Sequence, residues 1–248
     1  MLPVTPAVEF ARRIFRRHHV DSEILPVFLV LAATLLGFIM LASEVLEGET
    51  FAFDRWLLRV LRDPADHSIP VGPGWLQEFM IDATALGGVS LLTLITGLAA
   101  GYLLARRKLR TAAFLTFAVL SGAALSTLLK LGFVRPRPDL VAHLVDVHTA
   151  SFPSGHAMNS AITYLTLSAL LARSEKDRRV RIYLLSVGIG LTILIGLSRV
   201  YLGVHWPTDV VAGWCVGGAW AILCSLIAKA LQRRKEIDAP QGTDESPA

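Results

Sequence analysis

Three short polar clusters lie at the ends of long apolar runs, and each contains side chains that could bind or attack a phosphate. The first has two cations seven residues apart, Lys130 and Arg137. The second is Pro-Ser-Gly-His at 153–156, and the third occupies 198–209. Cations that hold oxyanions, imidazoles that attack or carry protons, and a carboxylate that orients an imidazole are the components of phosphoryl transfer. The clusters therefore predict a site that grips a phosphate, attacks it with one histidine and protonates the leaving group with the other.

The first cluster holds two cations at a fixed separation. Pro136 and Pro138 favour an extended chain between Lys130 and Arg137, and such a pair of cations suits the oxygens of a phosphoryl group. A lysine at the end of a membrane span also snorkels to the interface without any catalytic role. Arg135 has similar proline neighbours, so this cluster alone leaves open which arginine faces the site.

The second cluster stands where an apolar run begins. A helix that starts there would offer free backbone N–H groups to an anion, and Gly155 would let the backbone come close to it. Ser154 is either an extra hydroxyl donor or an ordinary helix cap. His156 favours a functional site, because an imidazole adds nothing to a cap but supplies a proton near neutral pH.

The third cluster combines Arg199 with His205 and Asp209. Pro207 suits the first turn of a helix, and in such a turn His205 and Asp209, four residues apart, can touch. A carboxylate behind an imidazole fixes its tautomer and raises its nucleophilicity. The alternative is that Asp209 only complements the helix dipole, and the nearby Arg199 favours the functional interpretation.

The composition is that of a membrane protein. With 53% hydrophobic residues and a mean hydropathy of +0.54, the chain is more apolar than a soluble domain usually is. Six apolar runs approach the roughly 20 residues needed to cross a hydrocarbon core. They are 24–42, 85–105, 111–129, 157–172, 182–197 and 210–228. We therefore expect an all-α polytopic membrane protein, a bundle of six transmembrane helices with the active site at its outer face.

The distribution of Lys and Arg predicts the orientation. Most of the 24 basic residues fall in four segments on one side of a six-span layout, at 12–17, 106–110, 173–181 and 229–235. The positive-inside rule then places both termini in the cytoplasm of a bacterial cell and the three clusters on the outer face of its inner membrane. The formal charge of +4 reflects this bias, and no basic stripe with exposed aromatic residues indicates a nucleic-acid partner.

We expect one membrane domain with short flanking segments. Residues 1–23 form a predicted cytoplasmic segment without a cleavable signal peptide, 24–230 the membrane domain with motifs at 130–209, and 231–248 a disordered cytoplasmic tail. Cys215 and Cys224 lie nine residues apart in the sixth run, on nearly opposite helix faces, so they are not expected to pair.

The outer segment at 43–82 contains a predicted amphipathic helix at 51–62. Its apolar residues alternate with one aspartate and three arginines, which favours a helix in the membrane interface. Such a helix could be a lid or lateral entry for a lipid, or a packing strap between the first two spans.

One alternative is a metal site. Asp139, His143, Asp146 and His148 carry ligand-type side chains at close spacing. The spacing matches no specific metal motif, and a polar loop between two spans is the simpler interpretation.

Together the three clusters resemble the type 2 phosphatidic acid phosphatase family, which shares its site with vanadium haloperoxidases and class A bacterial acid phosphatases. The family pattern is Lys-x6-Arg-Pro, then Pro-Ser-Gly-His, then Ser-Arg-x5-His-x3-Asp, and this sequence matches every position. The pattern selects Arg137 over Arg135. The hydrophobic layout also resembles that of the six-span lipid phosphatases.

The resemblance implies a role for each matched residue. His205 would be the nucleophile that forms a phosphohistidine, Asp209 would orient it, and His156 would be the general acid and base. The phosphate oxygens would be held by Lys130, Arg137, Ser154, Gly155 and Arg199. The cations would stabilise the transition-state charge, so no metal or other cofactor is implied.

The implied function is metal-independent hydrolysis of a membrane lipid phosphate or diphosphate, such as phosphatidic acid, phosphatidylglycerol phosphate or undecaprenyl pyrophosphate. A lipid phosphotransferase would use the same phosphoenzyme and remains open. A vanadate-binding haloperoxidase is typically soluble, and a transporter would carry its charges in mid-span. The apolar runs and the end positions of the charges favour the phosphatase over both.

Overall fold

The computed structural model describes residues 6–48, 52–147 and 149–233, and every regular element in these ranges is a helix. The helices are α1 (Pro6–Leu46), α2 (Ala52–Val60), α3 (Gly74–Ala85), α4 (Val89–Ala105), α5 (Leu109–Gly132), α6 (Gly155–Ser160), α7 (Thr166–Ser174), α8 (Arg178–Tyr201) and α9 (Pro207–Arg233). A π-helical turn, Ala161–Leu165, joins α6 to α7 without a break. The predicted all-α class is confirmed.

The expected bundle of membrane-spanning helices is confirmed. Among the described residues, four helices are long and apolar enough to cross a membrane: Leu25–Leu46 within α1, α5, α8 and α9 through Gln232. The pair α3 and α4, bent by 52°, makes a fifth if it counts as one span. The predicted run at 157–172 lies in α6, the π turn and α7, which follow one another without a break and carry buried hydroxyl groups at Ser160, Thr163 and Thr166. This continuous helical stretch packs inside the bundle at the place of the fourth predicted span.

The bend between α3 and α4 occurs at two glycines, Gly87 and Gly88. A Cβ atom added at Gly87 would lie 2.5 Å from Cγ2 of Ile195 on α8 and 3.3 Å from Cδ2 of His156. Because only glycine leaves this space, the chain turns in direct contact with α8 and with the imidazole. The bend thus forms one wall around His156.

The centre of the bundle is a close contact of α6 and the π turn with α9. A Cβ atom added at Gly213 would lie 2.7 Å from the carbonyl oxygen of Ser154, and one at Gly217 would lie 2.6 Å from that of Met158. The absence of side chains at these two positions lets the backbones approach. The amide of Ser154 also donates to the carbonyl of Asp209 at 3.0 Å. The second and third polar clusters are therefore joined through their backbones.

Helix α1 packs along α9 through an aromatic cluster. Phe38 stacks on Phe152 with ring centroids 5.9 Å apart, and Phe133 meets Phe152 edge-on at 4.9 Å. This contact ties both ends of the segment 133–152 to α1. Elsewhere the apolar surface of α1 points outward, with Phe28 61% exposed. An exposed apolar helix of this length is expected for an integral membrane protein.

Helix α2 is the predicted amphipathic helix of the outer segment. Phe53 and Trp56 are more than half exposed, whereas Leu58 and Asp54 are completely buried. Leu58 packs into a cluster with Val210 of α9. The helix therefore presents an apolar surface outward and also straps the bundle, which combines the two interpretations of this segment.

Two further expectations concern the termini and the cysteines. The predicted disordered tail at 231–248 lies outside the described residues beyond 233, and 231–233 continue α9. The first five residues of the predicted cytoplasmic segment are also outside the described residues. Cys215 and Cys224 are both free thiols, as expected.

The contact between α6 and α9 can be tested with neighbouring glycines. Gly217→Ala would place a Cβ against the backbone of Met158 and is expected to lower the free energy of unfolding by about 1–3 kcal/mol. Gly218→Ala is the matched control, because a Cβ there meets nothing within 4 Å. The control is expected to be neutral or to stabilise by up to about 1 kcal/mol, since alanine favours a helix over glycine. Thermal unfolding in detergent measures both, and equal midpoints for the two variants would contradict the packing described.

Candidate active site

His205 and Asp209 form the expected pair at the start of α9. Nδ1 of His205 lies 3.3 Å from Oδ2 of Asp209, and the same oxygen accepts a hydrogen bond from the amide of Trp206 at 2.9 Å. The carboxylate can only accept, so this contact assigns the imidazole proton to Nδ1. Nε2 then carries the free lone pair and lies 3.3 Å from Nη1 of Arg137.

The imidazole of His205 is kept neutral by its surroundings. The residue is 1% exposed, and burial lowers its pKa from 6.5 to about 3, against the opposing effect of the Asp209 carboxylate. A charged imidazolium has no lone pair for attack. The neutral ring with Nε2 directed toward Arg137 therefore has the form that a nucleophile needs.

The Asp209 carboxylate is buried and hydrogen-bonded on both oxygens. Oδ1 accepts from Nη1 of Arg135 at 2.6 Å, and Oδ2 accepts from the hydroxyl of Ser151 at 2.5 Å. The Ser151 oxygen also lies 3.4 Å from Nδ1 of His205. A buried carboxylate is tolerated when it is compensated in this way. Sequence reasoning missed Ser151, which has no motif around it, and it gave Arg135 no role.

The structure separates the two arginines that the first cluster alone leaves undistinguished. Nε of Arg137 donates to the carbonyl of Thr149 at 2.8 Å, and Nη1 lies beside His205. Arg135 instead turns into the protein, where it is paired with Asp209 and with Asp54 of α2. Arg137 is thus the arginine beside Nε2 of His205, and Arg135 lies on the far side of Asp209.

Lys130 reaches the start of α6 from the last turn of α5. Its Nζ donates to the carbonyl of Ala150 at 2.8 Å, and a Cβ atom added at Gly155 would lie 3.1 Å from its Cε. Ser154 is completely buried and caps α6, because its hydroxyl accepts from the amide of Ala157 at 3.5 Å. The ammonium group and the helix N-terminus therefore meet, and both favour an anion.

Arg199 and His156 complete the cluster from the other side. Arg199 is 3% exposed and donates from Nη1 to the hydroxyl of Thr84 at 3.0 Å, while its buried Nε has no partner. Burial, and after it the positive charges of Arg199, Lys130 and Arg137, lower the pKa of the His156 imidazole. The structure thus brings together every residue that the sequence singled out as a site residue.

The arrangement suits a phosphoryl group more than a metal ion. Arg137 lies beside the nitrogen of His205 that carries the free lone pair, and Lys130 and Arg199 act with it on the nearby His156. Asp209, the only carboxylate of the predicted site, lies on the Nδ1 side of the ring. Among the described residues, no group of three or more His, Cys, Asp or Glu side chains could hold a metal. The alternative metal site at Asp139, His143 and Asp146 does not form such a group, and His148 lies outside the described residues.

Comparisons with known proteins identify the family. Residues 111–233 match the family model of the PAP2 superfamily. Phosphatidylglycerophosphatase B of Bacillus subtilis (strain 168) is 37% identical over 148 residues, which is 58% of this chain and 70% of that protein. The chain belongs to the PAP2 superfamily. The resemblance seen in the three clusters is therefore confirmed, and all three lie within the matched residues.

Two more PAP2-related comparisons extend this result. The crystal structure of a transmembrane PAP2-type phosphatidylglycerolphosphate phosphatase from Bacillus subtilis superposes with a TM-score of 0.68 at 28% identity, covering 82% of this chain and 98% of that one. An undecaprenyl-diphosphatase of Sulfolobus acidocaldarius is 38% identical over 88 residues, 36% of this chain and 38% of that protein. The helical membrane fold is shared along most of the chain, whereas the archaeal relative is matched over a minority of its length.

The cation cluster predicts phosphate binding that depends on Arg137. Arg137→Ala is expected to weaken orthophosphate binding about 10- to 100-fold, because a hydrogen bond to a charged group contributes about 1.5–3 kcal/mol. Isothermal titration of the detergent-solubilised protein measures the Kd. Arg55→Ala, an exposed arginine of α2, is the control and should leave the Kd unchanged. Equal binding by the Arg137 variant and the wild type would contradict the geometry.

Proposed function

We propose that this chain hydrolyses a membrane lipid phosphate or diphosphate through a phosphohistidine at His205. One observation carries the proposal: a buried neutral imidazole is held by Asp209 on one nitrogen and lies beside a cation on the other. This is the geometry of an activated nucleophile that faces an oxyanion site. The helical membrane bundle around it supports a lipid as the carrier of the phosphate.

In the first step, Nε2 of His205 attacks phosphorus, and the bond from phosphorus to the lipid oxygen breaks. Arg137, Arg199 and Lys130 hold the other phosphoryl oxygens and stabilise the charge that develops on them. The bound phosphate anion offsets the surrounding cations and favours the protonated form of His156. His156 then gives its proton to the departing oxygen, so the lipid leaves as an alcohol, or as a monophosphate if the substrate is a diphosphate. Asp209 balances the positive charge that appears on the His205 ring.

In the second step, water cleaves the phosphohistidine. His156, now neutral, accepts a proton from the water as its oxygen attacks phosphorus, and the bond to Nε2 breaks. Inorganic phosphate leaves, and His205 returns to its neutral form. The same histidine serves as acid and then as base, so the two steps require no further proton carrier.

The substrate class follows from the site and the relatives. Relatives are named for a phosphatidylglycerophosphate and for an undecaprenyl diphosphate, which share a phosphate on a membrane lipid. The cations of the site can bind that phosphate. None of the described site residues indicates a particular head group. Phosphatidic acid, phosphatidylglycerol phosphate and undecaprenyl pyrophosphate are the candidates to compare.

We also propose that the site faces the outside of a bacterial inner membrane. The site residues gather where α5 ends and where α6 and α9 begin, whereas the basic segments at 106–110 and 173–181 lie at the opposite ends of the helices. Basic segments remain in the cytoplasm, which favours an outward site and cytoplasmic termini.

The proposed function is tested by phosphate release from lipid phosphates and diphosphates in detergent with excess EDTA. The wild type should release phosphate and carry acid-labile label on His205, whereas His205→Ala should show neither. His143→Ala is the matched control, because His143 is exposed in the neighbouring loop. Release by the His205 variant would contradict the proposal. Transfer of label from the wild type to a second lipid, without free phosphate, would identify a phosphotransferase instead.

His156 has a separate expected signature. His156→Ala should lower the turnover of natural lipid phosphates by about 10²- to 10⁴-fold, the usual contribution of a general acid or base. Phosphate binding should change little, because the cations remain. With an activated leaving group that needs no proton, the first step should persist and the phosphoenzyme should accumulate. Rapid-quench measurement of the labelled intermediate checks this, and an unchanged turnover would remove His156 from its assigned role.

A further inference from the structure

A buried chain of charges connects α2 to the His205–Asp209 pair. Nη2 of Arg135 lies 2.9 Å from Oδ2 of Asp54, and Nη1 lies 2.6 Å from Oδ1 of Asp209. Asp54 and Asp209 are both 0% exposed, and Arg135 is 7% exposed. One guanidinium therefore bridges two carboxylates that lie 155 positions apart in the sequence, away from water.

Thr208 closes this chain into a compact network. Its amide donates to Oδ1 of Asp54 at 2.9 Å, and its hydroxyl donates to Oδ2 at 2.6 Å. The same hydroxyl oxygen lies 2.8 Å from Nη1 of Arg135. Both oxygens of Asp54 thus have partners, and the residue immediately before Asp209 is attached to α2 by two hydrogen bonds.

In this network the two carboxylate oxygens of Asp209 have different hydrogen-bond partners. Arg135 occupies Oδ1, which leaves Oδ2 to His205, Ser151 and the amide of Trp206. Asp54 holds the second nitrogen of the guanidinium, so Arg135 cannot turn to take both oxygens of Asp209. Arg135 also lies over the Trp206 ring, 5.4 Å from its centroid.

We infer that Asp54 and Arg135 are positioning residues for phosphate hydrolysis, which act by fixing the Asp209 carboxylate against Nδ1 of His205. This inference rests on the proposed function. Asp54 lies outside the residues 111–233 that match the PAP2 family model, so the positioning comes from a segment that the family match does not include.

The location of Asp54 links this role to the membrane. The neighbouring Phe53 and Trp56 are exposed, with ring centroids 5.9 Å apart, and Arg55 and Arg59 are exposed beside them. A short helix with these residues lies with its apolar side in the lipid interface. The interfacial helix and the catalytic carboxylate are therefore held by the same guanidinium.

A double-mutant cycle tests the inference. Asp54→Asn keeps the shape of the side chain and removes its charge, and it is expected to lower kcat about 10- to 100-fold with a KM within about threefold of wild type, because a displaced catalytic group loses rate. In the Asp209→Asn background the same substitution should change kcat less than about threefold, because its target is gone. Asp82→Asn, an exposed aspartate of α3, is the control and should retain wild-type kinetics.

Each outcome decides for or against the role. An unchanged kcat for Asp54→Asn would overturn it. The same fall in kcat in the Asp209→Asn background would also overturn it, because Asp54 would then support only the fold. If thermal unfolding shows that Asp54→Asn is not folded, Arg135→Lys replaces it in the cycle, because lysine keeps the charge and loses the fork that bridges two carboxylates. Failure of the proposed function is seen separately, as a wild type that forms no phosphoenzyme on His205.

Discussion

The buried carboxylate of Asp209 is the constraint on which the rest of the site depends. A charge removed from water is costly unless donors surround it, and these donors come from separate parts of the chain. Arg135 and Ser151 belong to the segment that follows α5, while the Trp206 amide and His205 precede α9. The segment 133–152 must therefore lie against the start of α9, and Arg135 in turn requires a second carboxylate. That requirement fixes α2 to the bundle through Asp54.

The helices can meet this requirement only because small residues face one another. Gly213 and Gly217 bring α9 against the backbone of α6, and Gly196 of α8 accommodates the ring of Trp214 so closely that a Cβ atom would lie 2.3 Å from it. In a membrane, such close backbone approach is one source of helix association, because lipid offers no hydrophobic drive between helices. The glycine contacts bring the start of α6, which carries His156, against α9. Packing residues and Asp209 of the candidate site thus lie on the same helix.

Much of this arrangement could be predicted from local spacing. The four-residue separation of His205 and Asp209, with Pro207 between them, predicted their contact, and the three clusters predicted the family. The division of 157–172 into α6, a π turn and α7, with its hydroxyl groups buried inside the bundle, could not be predicted in this way. Asp54 and Ser151 were missed because their partners lie 81 and 58 residues away. A faint signal existed for Asp54, since it is the only acidic residue among the arginines of an amphipathic segment.

The positive and the negative groups of the site lie on opposite sides of the His205 ring. Arg137 lies on the Nε2 side of His205, where an anionic phosphate would arrive, and Asp209 lies on the Nδ1 side. Before the reaction the ring is neutral, so it is repelled by neither side. In the proposed mechanism the ring becomes positive when phosphorus bonds to Nε2, and Asp209 then forms an ion pair with it. Arg135 shares the charge of that carboxylate and is itself paired with Asp54 on α2, so the three residues compensate one another away from water.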